Sequence, residues 1–180
     1  MARRSLDRHA HTPDHPARVT MPPPRAVIGL ISDTHGRVRP QLAEVFSGVD
    51  CIVHAGDVGD RAVLRALAAI APVEAVSGNV DDRNDPSLPR ARTLPAGGRT
   101  LHVSHGDELG SPTPEALLAR YGADILVYGH THRALLFRAP DERVVVNPGA
   151  AGPPRFNLKP SVAILEITGG TIDVRFIDLV

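Results

Sequence analysis

Side chains that can bind metal ions recur along the chain, each close behind a short apolar segment. Two of these segments are followed by paired donors, Asp33-x-His35 and His130-x-His132. On an extended backbone, residues two positions apart lie on the same side, so each pair can reach one ion or two adjacent ions. The complete set of candidate ligands is Asp33, His35, Asp57, Asn79, His105, His130 and His132.

The chemistry of this set predicts which ions it binds and how many. It holds two carboxylates, four imidazoles and one amide, and no sulfur. Mixed nitrogen and oxygen donors suit Mn, Fe, Zn or Ni, whereas an oxygen-only set would favour Mg or Ca. Seven donors exceed the three protein ligands typical of one catalytic zinc ion, and they suit two ions about 3.5–4 Å apart that share a carboxylate. Two divalent ions, two aspartates and a bridging hydroxide leave roughly one positive charge, which attracts a phosphate group.

Buried strands and helices must position these donors. The run Ala26–Ile31 is continuously apolar, as is typical of a strand buried on both faces. Strands and helices then alternate until about residue 128, after which strands follow one another, so we predict an α/β first part and an antiparallel β end. The predicted strands are 26–31, 51–54, 73–76, 99–103, 125–128, 134–138, 143–146, 162–167 and 171–177, and the predicted helices are 40–46, 61–70 and 114–120. Because strand carboxyl ends form one rim in open α/β sheets, donors far apart in sequence can meet there.

Composition excludes several classes of protein. The 180 residues suit one domain, and 20 basic against 20 acidic residues give no net charge, which argues against a broad nucleic-acid-binding face. Aromatic residues make up 3% and Trp is absent, so stacking platforms for single strands are mostly missing. The single cysteine, Cys51, excludes a disulfide framework and fits a reducing compartment, and we predict a cytoplasmic protein. The sequence contains no run of about 18 apolar residues, which is the length that a membrane-spanning helix needs.

The first 24 residues differ from the rest of the chain. They contain five prolines and three histidines and show no apolar period. We therefore predict a disordered tail followed by one domain over residues 25–180. The tail lacks the apolar stretch of a secretory signal. Met21 directly precedes the prolines before the first strand, and we predict it as an alternative start, which intact-mass measurement of the native protein would test.

The ordered motifs resemble the calcineurin-like metallophosphoesterase family over residues 26–180. They are Asp33-x-His35, Gly56-Asp57, Gly78-Asn79, His105 and Gly129-His130-x-His132. The small size and Asn147-Pro148-Gly149 are similar to its compact bacterial and archaeal phosphodiesterase branch. The resemblance implies an α/β (α+β) fold, a four-layer αββα sandwich of two mixed sheets flanked by helices. It also implies a phosphodiesterase that uses a metal-bridging hydroxide for in-line attack on phosphorus, with Mn the preferred ion and Ni, Fe, Zn or Co as alternatives.

The resemblance also assigns roles to residues. The first ion takes Asp33, His35, Asp57 and His132, and the second takes Asp57, Asn79, His105 and His130, with Asp57 bridging. Asp57, Asn79, His105 and His130 are thereby the expected catalytic residues. Arg83 and Asp81 are predicted to contact the phosphate of a small phosphoester substrate, and the oligomeric state, a homo-oligomer included, stays open.

One position departs from the family pattern. Many members have histidine after the Gly-Asn pair, where it helps protonate the leaving oxygen, and this chain has Val80. Loss of a general acid typically costs about 10²–10⁴-fold in rate, which favours substrates with good leaving groups or another acid. Asp81, Asp82 and Asp107 are the candidates, with structural roles as the alternative for each. His54 is predicted to support the site without binding an ion itself.

Two other functions fit the same resemblance. A phosphomonoesterase or nucleotide hydrolase would use the same centre, although Val80 weakens that interpretation. A non-catalytic scaffold similar to the retromer subunit of this fold is the second alternative, and the filled ligand positions argue against it. Metal content after loading would distinguish an enzyme from a scaffold.

Overall fold

The computed structural model describes residues 24–155 and 157–180. The alternative start at Met21 and nearly all of the predicted tail lie outside the described residues. The strands are β1 (Arg25–Ile31), β2 (Cys51–His54), β3 (Val73–Ala75), β4 (Ala91–Ala96), β5 (Arg99–Ser104), β6 (Ile125–Val127), β7 (Leu135–Arg138), β8 (Val144–Asn147), β9 (Ser161–Thr168) and β10 (Thr171–Asp178). The helices are α1 (Leu42–Val45), α2 (Arg61–Ala68) and α3 (Pro114–Arg120), with a 3-10 turn at Asp107–Leu109. Every predicted strand and helix is confirmed, with small shifts at the ends.

The strands form two mixed sheets of five strands each. The first has the order β10-β9-β1-β2-β3 and the second has the order β4-β5-β6-β8-β7. Strands β1, β2 and β3 are parallel, whereas β9 runs antiparallel beside β1. The last four strands therefore join both sheets and do not form a separate antiparallel unit, which corrects the predicted division of the chain. The first five residues of β9 are buried, as suits a strand in the middle of a sheet.

The two sheets pack face to face between helices, so the predicted four-layer sandwich is confirmed. The core between them includes Leu30, Val53, Val103, Val127 and Leu165. On the outer face of the first sheet, α1 and α2 contribute apolar residues to a second core, and α3 does so on the other sheet. Successive strand residues alternate between these cores because side chains along a strand alternate in direction.

Strand β4 was not predicted from the sequence. Pro95 lies inside β4, and the two glycines Gly97 and Gly98 turn the chain into β5. Strand β4 is the edge of its sheet, where a proline without an N–H group is tolerated.

Side-chain caps mark the starts of the two longer helices. Helix α2 begins where the Asp60 carboxylate accepts the N–H of Ala62 at 2.6 Å. Helix α3 begins where the Thr113 hydroxyl accepts the N–H of Ala116 at 3.2 Å, with Pro114 in its first turn. Among the described residues no helix is long and apolar enough to cross a membrane.

Candidate metal centre

Strand register brings three of the predicted ligands together at one edge of the first sheet. Ile31 pairs with His54, and His54 pairs with Ala75, so the three parallel strands end level. The turns that follow are joined by main-chain hydrogen bonds. The N–H of Asp33 donates to Gly56 at 3.0 Å, and the N–H of His35 donates to Asp57 at 3.0 Å. The turn after β3, which carries Asn79, lies beside them.

The second sheet supplies the remaining ligands. Strands β5 and β6 are parallel, and the turns after them carry His105, His130 and His132. The N–H of His130 donates to the Asp33 carboxylate at 3.2 Å, which joins the two sheets. The predicted single rim is therefore built from the carboxyl ends of strands in two facing sheets.

The predicted ligand side chains converge on one small volume. The shortest approaches to a carboxylate are His132 Nε2 to Asp33 Oδ1 at 3.1 Å and His105 Nε2 to Asp57 Oδ1 at 3.4 Å. His35 Nε2 lies 3.8 Å from the other oxygen of Asp57. On the far side, Asn79 Oδ1 lies 3.2 Å from His105 Nε2 and 3.1 Å from His130 Nδ1.

Two groups of these side chains have donor atoms close enough to hold an ion each. One contains Asp33, His35 and His132, and the other contains Asp33, Asp57 and His105. Asp33 is common to both groups, whereas the resemblance assigns the shared position to Asp57. Asp57 also faces His35, which belongs to the first group. Each of the two aspartates therefore lies near an imidazole of both groups.

Unpaired polar atoms show that this volume suits a cation. Asp33 is fully buried, yet its Oδ1 makes no hydrogen bond although His132 Nε2 lies 3.1 Å away, and the buried His35 Nε2 makes none either. A buried polar atom without a partner costs about 1–3 kcal/mol, and a charged oxygen costs more. A divalent ion between these lone pairs would satisfy them, so the residues present fit the ions that the resemblance implies.

Main-chain carbonyls orient two of the imidazoles. Nδ1 of His105 lies 2.8 Å from the Ala55 oxygen, which leaves Nε2 to face the centre. Nε2 of His130 lies 3.1 Å from the Gly110 oxygen, which leaves Nδ1 to face Asn79. Such contacts fix the tautomer and ring direction of metal-binding histidines.

The backbone at the centre is strained. Among the described residues seven that are not glycine have positive φ, and five of them are predicted ligands: Asp33 at 52°, His35 at 46°, Asp57 at 54°, His130 at 66° and His132 at 58°. Positive φ is uncommon outside glycine, although Asp, Asn and His adopt it more readily than most residues. Clustered strain of this kind is characteristic of functional sites.

Two glycines allow the turns to approach closely. A Cβ at Gly78 would collide with the Asp57 carboxylate, and a Cβ at Gly56 would lie 2.8 Å from His105 Nδ1. Gly56 also has φ of 88°. Side chains at these positions would separate the ligands, which explains glycine before Asp57 and Asn79.

Proximity couples the charge states of the ligands. Burial acts to raise the pKa of Asp57, but the hydrogen bond and charge of His105 outweigh burial and lower it to about 2. Burial acts to lower the pKa of His105, but the Asp57 and Asp33 carboxylates raise it to about 9. Burial lowers the pKa of His35. Without an ion, the centre therefore holds an ion pair between Asp57 and His105.

Neighbouring residues support the ligand turns. His54 is fully buried, and its Nε2 lies 2.9 Å from the Thr34 hydroxyl, which donates to the Val58 oxygen. Burial lowers the pKa of His54 to about 4. Asn147 donates through Nδ2 to the Gly129 oxygen at 2.7 Å, which braces the turn before His130.

The predicted substrate contacts and acids occupy different settings. The Arg83 side chain is 68% exposed and lies 3.8 Å from Asp107, which Arg90 also binds at 2.8 Å. Asp82 accepts the N–H of Asn84 at 2.9 Å within its own turn. Both oxygens of Asp81 accept main-chain N–H groups, so the geometry favours a different role from the predicted substrate contact.

The sequence did not point to Ser32 or Gly110. The Ser32 hydroxyl donates to the Asp33 carboxylate, and Gly110 contributes only its carbonyl oxygen. A serine directly before a predicted ligand was an available signal, whereas a main-chain oxygen leaves none in the sequence.

Comparison with known proteins agrees with this geometry. Residues 27–170 match the family model of the calcineurin-like phosphoesterase superfamily domain. The chain belongs to this superfamily. The resemblance inferred from the motifs is thereby confirmed, and the five strand-end motifs of the chain lie within the matched range.

Curated relatives are similar over most of this chain. A probable metallophosphoesterase of Methanothermobacter thermautotrophicus is 34% identical over 161 residues, which are 84% of this chain and 91% of the relative. Another, from Methanocaldococcus jannaschii, is 38% identical over 142 residues, or 74% and 72% of the two chains. The solved structure of Vacuolar Protein Sorting 29 from Cryptosporidium parvum has a TM-score of 0.72 at 22% identity and covers 86% of this chain and 98% of its own, which shows a shared fold.

Proposed function

We propose that this protein is a dinuclear metal-dependent phosphodiesterase. The observation that carries the proposal is the convergence of donor side chains from five strand ends, among which the buried Asp33 Oδ1 and His35 Nε2 atoms make no hydrogen bond. Small phosphodiesters with good leaving groups are the expected substrates, because exposed Val80 stands where many family members have an acid.

The proposed ligands divide as the resemblance implies. One ion would be held by Asp33, His35, Asp57 and His132, and the other by Asp57, Asn79, His105 and His130. When bound, two Mn²⁺ ions, or Ni, Fe, Zn or Co, would polarise the phosphoryl oxygens and lower the pKa of water for in-line attack.

The protein's own groups prepare the site for a phosphate anion. The Ala55 and Gly110 carbonyls hold His105 and His130 so that both imidazoles face the centre. Asp33 and Asp57 lie at or below 3% exposure, which keeps competing water away from their carboxylates. Preorganised charges in a buried site act more strongly than they do in water.

Arg83 is the proposed substrate contact. Its guanidinium is exposed and only loosely held by Asp107, because Arg90 makes the shorter bonds to that carboxylate. A guanidinium in this state can bind phosphoryl oxygens in a bidentate manner. We expect Arg83→Ala to raise KM for a phosphodiester, while Arg175→Ala, which removes an exposed arginine from β10, leaves KM unchanged.

Hydrolysis of bis-p-nitrophenyl phosphate by the metal-free protein supplied with Mn²⁺ tests the activity. Turnover that needs the added metal supports the proposal. Absence of turnover with Mn²⁺, Ni²⁺, Co²⁺ and Zn²⁺ would overturn it. Parallel assays with p-nitrophenyl phosphate and with nucleotides decide between a diesterase and a monoesterase or nucleotide hydrolase. The single cysteine supports a cytoplasmic setting for the reaction.

A non-catalytic scaffold is the second candidate, because the fold is shared with Vacuolar Protein Sorting 29. The intact ligand set of this chain favours an enzyme. Elemental analysis after loading separates the two, since about two ions per chain are expected of the enzyme and fewer than one ion per chain of the scaffold.

A further inference from the structure

Asp81 lies where the turns after β2 and β3 meet, and its carboxylate binds both. Oδ2 accepts the N–H of Val58 at 3.1 Å and the N–H of Gly78 at 2.8 Å. Oδ1 accepts the N–H of Gly59 at 2.9 Å. Val58 and Gly59 belong to the first turn, and Gly78 belongs to the second. One side chain therefore ties the two turns together through three main-chain donors.

The same turns are joined in the opposite direction by Asp57. Its Oδ1 accepts the N–H of Val80 at 3.0 Å. Each turn thus offers a carboxylate to the amides of the other, and hydrogen bonds to a charged acceptor are roughly twice as strong as neutral ones. The contacts flank Asp57 and Asn79, so they set how far apart these two ligands lie.

No other side chain among the described residues accepts hydrogen bonds from both turns. The next residue, Asp82, accepts only the N–H of Asn84, at 2.9 Å, within a single turn. Its carboxylate has the same charge and nearly the same place in the sequence. Asp82 is therefore a matched control for the removal of a carboxylate that does not join the turns.

We propose that Asp81 is a positioning residue that holds Asp57 and Asn79 at the separation a pair of metal ions needs. The proposal rests on the function proposed above, because it treats those two residues as ligands. Metal ligands must be held within about 0.5 Å of their productive positions. Partners that orient the ligands typically change metal affinity by about 10–100-fold.

The variant Asp81→Asn tests this role. An asparagine has the same size but replaces one acceptor oxygen with an NH₂ group that would face main-chain N–H groups. We expect faster amide exchange at Gly59 and Gly78 in the metal-free variant and Mn²⁺ binding weakened by about 10–100-fold in calorimetric titration. Asp82→Asn should match the wild type in both measurements.

A spectroscopic measurement separates positioning from general stability. In the wild type loaded with Mn²⁺, electron paramagnetic resonance should show an exchange-coupled pair, and Asp81→Asn at saturating Mn²⁺ should lose or alter that coupling. Asp81→Glu keeps two acceptor oxygens, so its affinity should lie closer to wild type than that of Asp81→Asn. This variant also covers the case in which the asparagine variant does not fold.

Two results would overturn the inference. One is Mn²⁺ affinity in Asp81→Asn equal to wild type, and the other is an unchanged coupled spectrum. Failure of the proposed function looks different, because the wild type itself would then bind no ion pair or hydrolyse no phosphoester. Neither of the readouts for Asp81 depends on turnover.

Discussion

Asp57 Oδ1 lies 3.4 Å from Nε2 of His105, and this contact crosses from the first sheet to the second. Asp57 follows β2 and His105 follows β5. Each residue moves the pKa of the other away from its ordinary value, to about 2 for the carboxyl and about 9 for the imidazole. The metal-free protein therefore holds at this point a charge pair that an incoming cation must displace.

Removal of the Asp57 carboxylate should disable the centre. We expect Asp57→Asn to bind fewer than two ions per chain and to lose at least about 100-fold in phosphodiester hydrolysis, because loss of a ligand exceeds loss of an orienting partner. Elemental analysis and the bis-p-nitrophenyl phosphate assay measure the two effects. Asp173→Asn, on the exposed face of β10, is the control. Full activity in Asp57→Asn would exclude the proposed ligand set.

Metal binding should release a proton from His105. Because the pKa of His105 is raised to about 9, the metal-free imidazole is protonated at pH 7, and an ion at Nε2 must replace that proton. We expect about one proton per chain from this residue and an affinity that rises with pH up to about 9. Calorimetry in buffers of different ionisation heat counts the protons. His105→Asn should release about one fewer, and an equal count would contradict the assignment.

Stability of the metal-free protein should pass through a maximum near pH 6.5. Above this pH the free energy of unfolding falls. The unfolded chain loses the His105 proton near the ordinary pKa of 6.5, whereas the folded chain, with its raised pKa, keeps that proton until about pH 9. Below pH 6.5 the free energy of unfolding falls as the pH drops toward 4. His54 binds a proton in the unfolded chain, whereas in the folded chain its buried side chain has a lowered pKa and stays neutral. His54 contributes up to about 3 kcal/mol of this acid loss.

Urea unfolding at pH 5, 6.5 and 8.5 measures these two limbs. His54→Asn should lose most of the difference between pH 6.5 and 5, and His105→Asn should lose the difference between pH 6.5 and 8.5. Curves for the variants that parallel the wild type at every pH would assign the dependence to other groups.

A side chain at Gly78 should push the ligands apart. A Cβ there collides with the Asp57 carboxylate, whereas a Cβ at Gly122 meets no atom within 4 Å. We expect Gly78→Ala to lower the free energy of unfolding by about 1–3 kcal/mol and to bind metal weakly, with Gly122→Ala close to wild type. Denaturant unfolding and metal titration compare the two alanine variants, and equal behaviour would show that the turns can move apart freely.

An imidazole at position 80 should extend the range of leaving groups. Val80 is 50% exposed at the rim, where many family members carry the histidine that protonates the leaving oxygen. We expect Val80→His to raise hydrolysis of alkyl phosphodiesters by at least about tenfold and to change aryl diesters little, because only alkyl leaving groups need a proton. Val38→His, at a valine with 41% exposure, is the control. An equal gain on both substrate types would argue against acid catalysis.

Local patterns in the sequence predicted most of the strands and the candidate ligand side chains that the structure brings together. Segments such as 51–54 and 114–120 have the predicted bounds, because apolar runs and a proline at the helix start act within a few residues. Strand β4 escaped prediction because Pro95 is tolerated only at a sheet edge, and edge position is a property of the whole fold.

The main-chain contacts that orient the side chains of the centre could not be predicted in the same way. The proposed ligands can be predicted from their residue types, because each follows a strand. The carbonyls of Ala55 and Gly110 and the amides that bind Asp81 belong to the main chain, which is chemically alike at most positions. The division of the ligands between two sheets likewise depended on strand pairing over long distances in the sequence.

The positive φ angles at five of the proposed ligands have a consequence for how this fold diverges. Asp, Asn and His tolerate that backbone conformation better than branched residues do, so the folding requirement and the chemical requirement select overlapping residue types at these positions. A related protein without phosphoesterase activity would still be restricted by these turns to aspartate, asparagine, histidine or glycine at these positions. Residues of a metal site can therefore be retained after the activity is lost. A polar residue at one of these turns is weaker evidence for catalysis than the full set of ligands.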